Sequence, residues 1–402
     1  MARHFAADGG ATLRFTRDMK PRLSRRAVMK GTVAFAAYAF SQVPMSVFGF
    51  AELEEGATLV PFLTPQPRNP NRPMIQWDEL TNWVTPNEQV YVVSHYNKPE
   101  LKADEWKLEI GGMVERPVTL SLAELKQRPH QEIMATLECG GNGASAAFMG
   151  AVANVRWTGT PLAPLLRERG LLKRGTEVLF FGADEKSEKV RELDFDMRFS
   201  RSLSLVDALQ DKVMLCWEMN GQPLPREHGF PLRLVVPGWY GIAWVKWLTR
   251  IEVLDRRLMS KYMAREYVTI RGEQQNGKTL WRETSVSWMN VKSVVARVAK
   301  LKNGALRISG AAWSDGTPIK SVELKLDDGP WQSVKLDTTN RSEFSWTFWS
   351  FDLPEVAAGE HTLVSRATDA DGRVQPAADD PTIKLKKTYW EANQQWPRKI
   401  KV

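Results

Sequence analysis

The sequence contains very little cysteine, and this limits the metal and redox centres that it can build. Two cysteines, Cys139 and Cys216, occur in 402 residues. Two thiols exclude a disulfide framework and any metal cluster held by cysteines alone. No Cys-x-x-Cys-His segment is present, so covalently attached c-type haem is excluded as well. Any redox centre must therefore use few protein ligands.

The sequence also lacks a hydrophobic run long enough to span a membrane stably. The weakly apolar stretch 31–43 is shorter than the roughly 18–20 apolar residues that a span requires. It follows the pair Arg25-Arg26 and precedes small residues near Ala51, which indicates a twin-arginine signal peptide over residues 1–51. An amphipathic or anchoring N-terminal helix is the alternative. The signal predicts export of the folded protein to the periplasm, with a cofactor inserted beforehand.

Outside this leader the chain has almost no net charge. The formal charge is +8, but residues 1–51 hold eight of the 55 Lys and Arg and two of the 47 Asp and Glu. The remaining 47 basic and 45 acidic residues leave a net charge of +2. A nucleic-acid partner therefore loses its main support.

The pattern of apolar residues divides the mature chain into two predicted domains. The proline-rich segment 52–86 is predicted to lack regular structure and to wrap over the domain that follows it. Short apolar runs mixed with helical patches predict an α+β catalytic domain over residues 52–285. From about Ser287, alternating patterns such as Val322 to Leu326 predict an immunoglobulin-like β-sandwich over residues 286–402.

The first candidate site surrounds Cys139. A strand-like segment ends at Glu138, and Cys139-Gly140-Gly141-Asn142-Gly143 follows. Glycines let the backbone turn sharply and let a bulky group approach the sulfur, which suits a thiolate metal ligand or a nucleophile. A buried, inert thiol is an equally good interpretation of the motif alone. Cys216 lies inside an apolar run and is predicted to be plain core.

The second candidate site is a stretch of turns that carries cationic and hydrogen-bonding groups. His228, Arg233 and Lys246 lie within nineteen residues, among glycines and prolines. Such a set could hold a phosphate and a polar heterocycle. On the residues alone, the pattern favours a surface turn with scattered charges over a binding site.

Both sites resemble the sulfite oxidase family of molybdopterin enzymes. The resemblance rests on Glu138 to Asn142, Met219 to Pro225, His228 to Arg233, and Val236 to Gly238 with Val245 to Leu248, and it spans roughly residues 85–400. Within the family the chain is similar to bacterial periplasmic sulfite dehydrogenases and to sulfane dehydrogenase catalytic subunits. The resemblance implies a sulfite-oxidase-type molybdopterin-binding domain followed by an immunoglobulin-like dimerisation domain.

The resemblance also implies the cofactor and the residues that bind it. Molybdenum and molybdopterin are expected, with Cys139 as the metal ligand. Tyr267 matches the active-site tyrosine of the family, with Tyr262 as the competing candidate. The expected cofactor-binding residues are His95, Tyr96, Cys139, Asp184, His228, Arg233 and Lys246.

The sequence departs from the family where the substrate is bound. Family members that oxidise sulfite offer arginines to the oxyanion, but here the corresponding segments read Val93 to Asn97 and Gly143 to Ser145. A doubly charged anion needs donors that match its charge. Arg156, Arg198 and Arg201 are therefore candidates for replacing the missing cations.

The resemblance implies a periplasmic sulfite dehydrogenase that oxidises sulfite to sulfate by oxygen transfer at molybdenum. Electrons are expected to pass to a c-type cytochrome, and the chain to form a homodimer or a heterodimer with a cytochrome subunit. The missing arginines favour two alternatives: a sulfane dehydrogenase subunit acting on protein-bound sulfur, and a sulfoxide reductase. A cofactor-free binding protein on the same fold is a third hypothesis.

Overall fold

Short β-strands form most of the regular structure in a computed structural model of the chain, which describes residues 53–69, 73–354 and 356–402. The leader predicted over residues 1–51 lies outside this range. In the described part of the chain, no helix is both long and apolar enough to cross a membrane. The α-helices are short: α1 (Leu122–Lys126), α2 (Leu162–Glu168), α3 (Leu205–Ala208) and α4 (Pro381–Lys384).

The strands follow one another closely, and most connections between them are short. In chain order they are β1 (Thr58–Leu59), β2 (Lys107–Gly112), β3 (Val118–Ser121), β4 (Gln131–Glu138), β5 (Val152–Pro161), β6 (Glu177–Val190), β7 (Leu193–Ser204), β8 (Met214–Met219), β9 (Gln222–Pro223), β10 (Arg233–Val235), β11 (Leu248–Leu254), β12 (Val268–Gln275), β13 (Lys278–Ser285), β14 (Lys292–Lys300), β15 (Leu306–Trp313), β16 (Ile319–Leu326), β17 (Gln332–Ser333), β18 (Lys335–Leu336), β19 (Thr347–Leu353), β20 (Glu360–Asp369) and β21 (Arg398–Lys401).

Two sheets form the first part of the fold. One has the strand order β3-β2-β11-β6-β7, and β2 and β11 are its parallel pair. The other has the order β10-β8-β5-β4, with β9 paired to β8. The apolar run Met214 to Trp217 is buried on both faces of β8, as a continuous rather than alternating pattern indicates. Short helices pack on these sheets, which confirms the predicted α+β class.

Two further sheets confirm the predicted β-sandwich. Their strand orders are β1-β14-β15-β19-β18 and β17-β16-β20-β21. Val322 and Leu324 of β16 face the interior while Glu323 between them is paired with Arg366, because side chains alternate along a strand. The sandwich core includes Val295, and it is separate from the larger core of the first part.

The sandwich is joined to the first part by buried tryptophans. The Trp83 indole donates to the Trp346 carbonyl at 3.2 Å, and the Trp346 indole donates to the Trp83 carbonyl at 2.9 Å. The ring of Trp77 stacks on Trp313 with centroids 5.8 Å apart. The described residues from 53 onward belong to one compact unit. The division at 285/286 remains a prediction.

The proline-rich segment is only partly irregular. Strand β1 pairs with β14 of the sandwich, and Phe62 bridges to Ile400. Farther along, Trp77 and Trp83 enter the larger core. The expectation that this segment lacks regular structure is therefore wrong at its start, which adds a strand to a sheet of the sandwich, whereas its later part packs on the next domain as expected.

Candidate active site

Cys139 occupies a tight turn directly after β4. Its amide donates to the Ala151 carbonyl at 2.9 Å, and its carbonyl accepts from the Asn142 amide at 2.9 Å. Gly143 closes the turn with φ +94°, and a Cβ there would lie 2.9 Å from the Ala392 carbonyl oxygen. Only glycine fits this position without strain. The Cys139 side chain is 7% exposed and lines two cavities, which argues against an inert thiol.

The two cavities meet at Cys139 and differ in character. The inner cleft has a volume of about 620 Å³ and includes Asp184, His228, Arg233 and Lys246 in its lining. The vestibule has a volume of about 1110 Å³ and is lined mainly by aromatic side chains and glycine or alanine. Both volumes include space that is open to solvent. His95 and Tyr267 line both, beside Cys139.

Arg233 provides a fixed cation in the inner cleft. Its guanidinium donates to the carbonyls of His228 (3.1 Å) and Trp244 (3.2 Å) and lies 4.7 Å from the ring centroid of Trp157. Burial lowers its pKa to about 10, so the group stays charged at neutral pH. Nε has no protein partner although it is buried. A buried donor of this kind is expected to have a partner in the functional state.

Lys246 and His228 complete the polar wall of the inner cleft. Lys246 Nζ donates to Ser94 Oγ at 2.9 Å and to the Glu227 carbonyl at 3.0 Å. Burial, reinforced by Arg233, lowers the Lys246 pKa to about 7, and an anion nearby would raise it again. Burial and the same cations lower the His228 pKa to about 3, so its ring is neutral at physiological pH. Neutral imidazole can both donate and accept a hydrogen bond.

Asp184 reaches the inner cleft because β6 is irregular at this point. The pairing of β6 with β7 shifts between Phe181 and Glu185, which turns the intervening residues away from the ladder. Burial raises the Asp184 pKa to about 7, and Oδ1 has no protein partner. Asp184 can thus accept from, or when protonated donate to, a polar heterocycle.

The substitution Asp184→Asn tests this buried carboxyl. The pKa of Asp184 is higher in the folded chain than the usual 3.8, so the carboxylate costs folding free energy that grows from about pH 4 to about pH 7. In cofactor-free protein we expect Asp184→Asn to raise the free energy of unfolding by a few kcal/mol at pH 8, at about 1.4 kcal/mol per pKa unit, and by clearly less at pH 5. Urea unfolding at both pH values measures the difference. Equal effects at pH 5 and pH 8 would contradict it.

Tyr267 is held in an unusual conformation beside Cys139. Its φ is +55°, which is rare for a bulky residue and costs on the order of 1–3 kcal/mol. His95 Nε2 and the Tyr267 hydroxyl form a hydrogen bond of 2.8 Å, and Trp390 stacks on the tyrosine ring with centroids 4.0 Å apart. Burial lowers the His95 pKa to about 4 and raises that of Tyr267. A neutral ring and a protonated hydroxyl therefore face the sulfur.

The remaining sequence candidates lie outside both cavity linings. Tyr262 and Tyr96 contact each other with ring centroids 5.8 Å apart, and neither lines the inner cleft or the vestibule. The geometry thus favours Tyr267 over Tyr262 as the site tyrosine. A cofactor-binding role for Tyr96 stays a prediction.

None of the three candidate arginines lines the vestibule. Arg156 pairs with Glu132 at 3.4 Å, and Arg198 pairs with Glu185 at 3.4 Å. Arg201 is buried and donates to the carbonyls of Tyr262 and Val286. None of them contributes a side chain to this lining, and their replacement of the missing cations stays a prediction. Among the described residues that line the vestibule, Glu266 carries the only full charge.

Several residues of the site are not indicated by any motif in the sequence. Tyr91, Phe199 and Trp244 line the inner cleft, whereas Tyr389 and Trp390 from the C-terminal segment line the vestibule. The high tryptophan count, sixteen residues, is a general signal of pockets and cores but does not single out Trp390.

The donor set fits molybdopterin carrying a single protein thiolate on the metal. No group of three or more His, Cys, Asp or Glu side chains suited to a metal ion occurs in the described part of the chain. A metal here would need most of its ligands from a cofactor. The buried Asp184 Oδ1 and Arg233 Nε, both without protein partners, match a ligand that offers hydrogen-bonding ring atoms and a phosphate.

Comparisons with known proteins agree with this fit. Residues 95–262 match the oxidoreductase molybdopterin binding domain, and residues 283–391 match the Mo-co oxidoreductase dimerisation domain. Mitochondrial sulfite oxidase of Homo sapiens is 32% identical over 333 residues, which cover 76% of this chain and 59% of that protein. Sulfite oxidase of Gallus gallus is 30% identical, with coverage of 76% of this chain and 70% of that protein.

More distant matches include other chemistry and a solved structure. Inducible nitrate reductase [NADH] 1 of Glycine max is 28% identical over 362 residues, which cover 81% of this chain and 40% of that protein. The crystal structure of the sulfane dehydrogenase SoxCD from Paracoccus pantotrophus superposes with a TM-score of 0.69 at 26% identity. That alignment covers 93% of this chain and 94% of the other.

Proposed function

The chain belongs to the sulfite oxidase family of molybdopterin-binding oxidoreductases, and from this we propose that it oxidises sulfite to sulfate and passes the electrons to a c-type cytochrome. The observation that carries the proposal is the position of Cys139 at the junction of a cationic cleft and an aromatic vestibule. When bound, the molybdenum cofactor supplies oxygen transfer to sulfur and accepts two electrons. The protein supplies binding, orientation and charge.

Each wall of the site has a distinct part in this function. Arg233 and Lys246 would hold the cofactor phosphate, and His228 and Asp184 would hydrogen-bond the heterocycle. Cys139 would ligate the metal through its sulfur. Tyr267, held by His95, presents a protonated hydroxyl to the vestibule side of that sulfur, where it can donate to an oxygen atom of the substrate.

The experiment that tests the function is sulfite-dependent reduction of ferricytochrome c by molybdenum-loaded protein. Metal content is measured on the same samples, so that inactivity can be separated from poor loading. Turnover that depends on both sulfite and molybdenum supports the proposal. Full molybdenum loading without sulfite turnover would exclude sulfite and move the search to other sulfur compounds.

A second candidate function is favoured by the vestibule. The described residues of its lining include no Lys or Arg, and Glu266 would repel a doubly charged anion. A sulfane sulfur bound to a carrier protein brings less charge to the site than free sulfite does. The likeness to a sulfane dehydrogenase structure supports this candidate. In the assay above it would appear as molybdenum-loaded protein that reduces cytochrome c only with a carrier-bound sulfane substrate.

Adding a cation to the vestibule should improve the use of sulfite. Ala144 lines the vestibule and is exposed, whereas Gly143 has a positive φ and cannot accept a side chain without strain. We expect Ala144→Arg to lower KM for sulfite about tenfold or more, since a hydrogen bond to a charged group contributes roughly 1.5–3 kcal/mol. Steady-state kinetics at low ionic strength measure the change. Ala144→Gln is the control, and an equal gain from glutamine would show that charge is not the cause.

The location and assembly of the protein follow from the same proposal. The leader over residues 1–51 would direct the folded protein to the periplasm, where a c-type cytochrome can accept electrons. The C-terminal sandwich would form a homodimer or bind a cytochrome subunit, as its match to a dimerisation domain supports.

A further inference from the structure

A buried ion pair links the sandwich to the residue before Cys139. Glu138 ends β4 and is fully buried, and Lys292 begins β14 of the sandwich and is 1% exposed. The two side chains form a direct ion pair. They are separated by 154 positions along the chain, and neither lines the inner cleft or the vestibule.

Each polar side-chain atom of this pair also has a hydrogen-bond partner outside the pair, in the Cys139 turn or the sandwich. Glu138 Oε1 also accepts from Asn142 Nδ2 at 2.9 Å, and Oε2 accepts from the Trp313 indole at 2.8 Å. Lys292 Nζ also donates to the Asn142 carbonyl at 3.1 Å. The network therefore ties both ends of the turn, Glu138 and Asn142, to two strands of the sandwich.

The C-terminal segment forms two further hydrogen bonds with the same turn. The Glu391 amide donates to the Gly140 carbonyl at 2.7 Å, and Gln394 Nε2 donates to the Gly143 carbonyl at 2.8 Å. Residues of the sandwich and of the C-terminal segment thus bond the turn at four positions: 138, 140, 142 and 143. Local glycines alone would leave it flexible, because glycine loses more conformational freedom on ordering than other residues do.

We infer that Lys292 and Trp313 are positioning residues that set the orientation of Cys139 through the carboxylate of Glu138. Removing one partner of a buried, hydrogen-bonded charge pair leaves the other charge uncompensated. Opening of the turn would let water solvate that charge. The positioning role rests on the proposed function insofar as Cys139 binds the metal. The attachment of the turn to the sandwich is independent of the proposed function.

Amide hydrogen exchange in peptides covering residues 139–148 tests the inference. The amides of Cys139, Asn142, Gly143 and Ala144 are hydrogen-bonded within this region, so their exchange reports opening of the turn. In the full-length cofactor-free chain we expect Lys292→Met and Trp313→Phe each to speed this exchange by about tenfold or more. Trp313→Phe removes the indole donor, keeps an aromatic side chain and introduces no charge, so it serves if Lys292→Met does not fold.

Two control variants separate this contact from general loosening. Trp349→Phe removes another buried indole donor of the same sheet, which bonds Ser293 Oγ at 3.1 Å, and should leave exchange in 139–148 unchanged. The double variant Glu138→Gln with Lys292→Met removes both charges and should restore most of the protection lost in Lys292→Met alone. Unchanged exchange in Lys292→Met and Trp313→Phe, or an equal increase in Trp349→Phe, would overturn the inference. These outcomes do not depend on which substrate the enzyme oxidises.

Discussion

Cys139→Ser is expected to abolish sulfite-dependent turnover, with a loss on the order of 10³-fold or more. The thiol ionises far more readily than a serine hydroxyl, and its thiolate would donate more electron density to a bound metal, so serine would be a poor replacement. A metal centre stabilises the transition state by several kcal/mol. Each 1.36 kcal/mol of this stabilisation that is lost lowers the rate tenfold. Cytochrome c reduction per bound molybdenum is the measurement, because it corrects for altered loading.

The chain provides a matched control for this substitution. Cys216 in β8 is fully buried, lines neither cavity, and has a pKa raised by burial. Cys216→Ala should leave turnover per molybdenum within about twofold of the wild type, because the change removes one small core atom far from solvent. Retention of wild-type turnover by Cys139→Ser would exclude Cys139 as the metal ligand, whereas the sulfite activity itself would still stand.

The parts of the site that could be predicted from the sequence are encoded in short contiguous motifs. Gly143 must be glycine because of its positive φ and its close approach to Ala392, so the turn around Cys139 is visible in the sequence itself. His228 and Arg233 lie five residues apart, and the Arg233 guanidinium bonds the His228 carbonyl. The sandwich could be predicted because alternation along a strand is also a local property.

The parts that could not be predicted depend on contacts between distant segments. Lys292 reaches Glu138 across 154 positions, and Tyr389 and Trp390 reach the vestibule from the C-terminal part of the chain. No local pattern distinguishes Lys292 from a solvated lysine. The position of Arg201 outside the vestibule lining could not be predicted for the same reason, because its backbone carbonyl partners are set by tertiary packing.

Arg233→Met is expected to deprive the protein of most of its cofactor. Arg233 is the cation of the inner cleft that stays charged at neutral pH, and its unpaired Nε is available to a phosphate. Loss of one charge-assisted hydrogen bond weakens binding by roughly 10- to 100-fold, since such a bond contributes about 1.5–3 kcal/mol. Molybdenum and pterin content of the purified protein, with thermal unfolding of the cofactor-free form, are the measurements.

A second arginine of the same motif separates cofactor binding from folding. Arg226 pairs with Glu100 at 2.7 Å on the surface and lines neither cavity, so Arg226→Met should keep its cofactor. Arg233→Met destabilises the protein by leaving the carbonyls of His228 and Trp244 without their arginine donor. It also stabilises the protein by removing a buried cation, and methionine fills part of the same space. These effects oppose each other, so the cofactor-free forms should unfold at similar temperatures. Full cofactor content in Arg233→Met would show that the phosphate is held elsewhere, whereas equal loss in both variants would indicate that the whole motif folds around the cofactor.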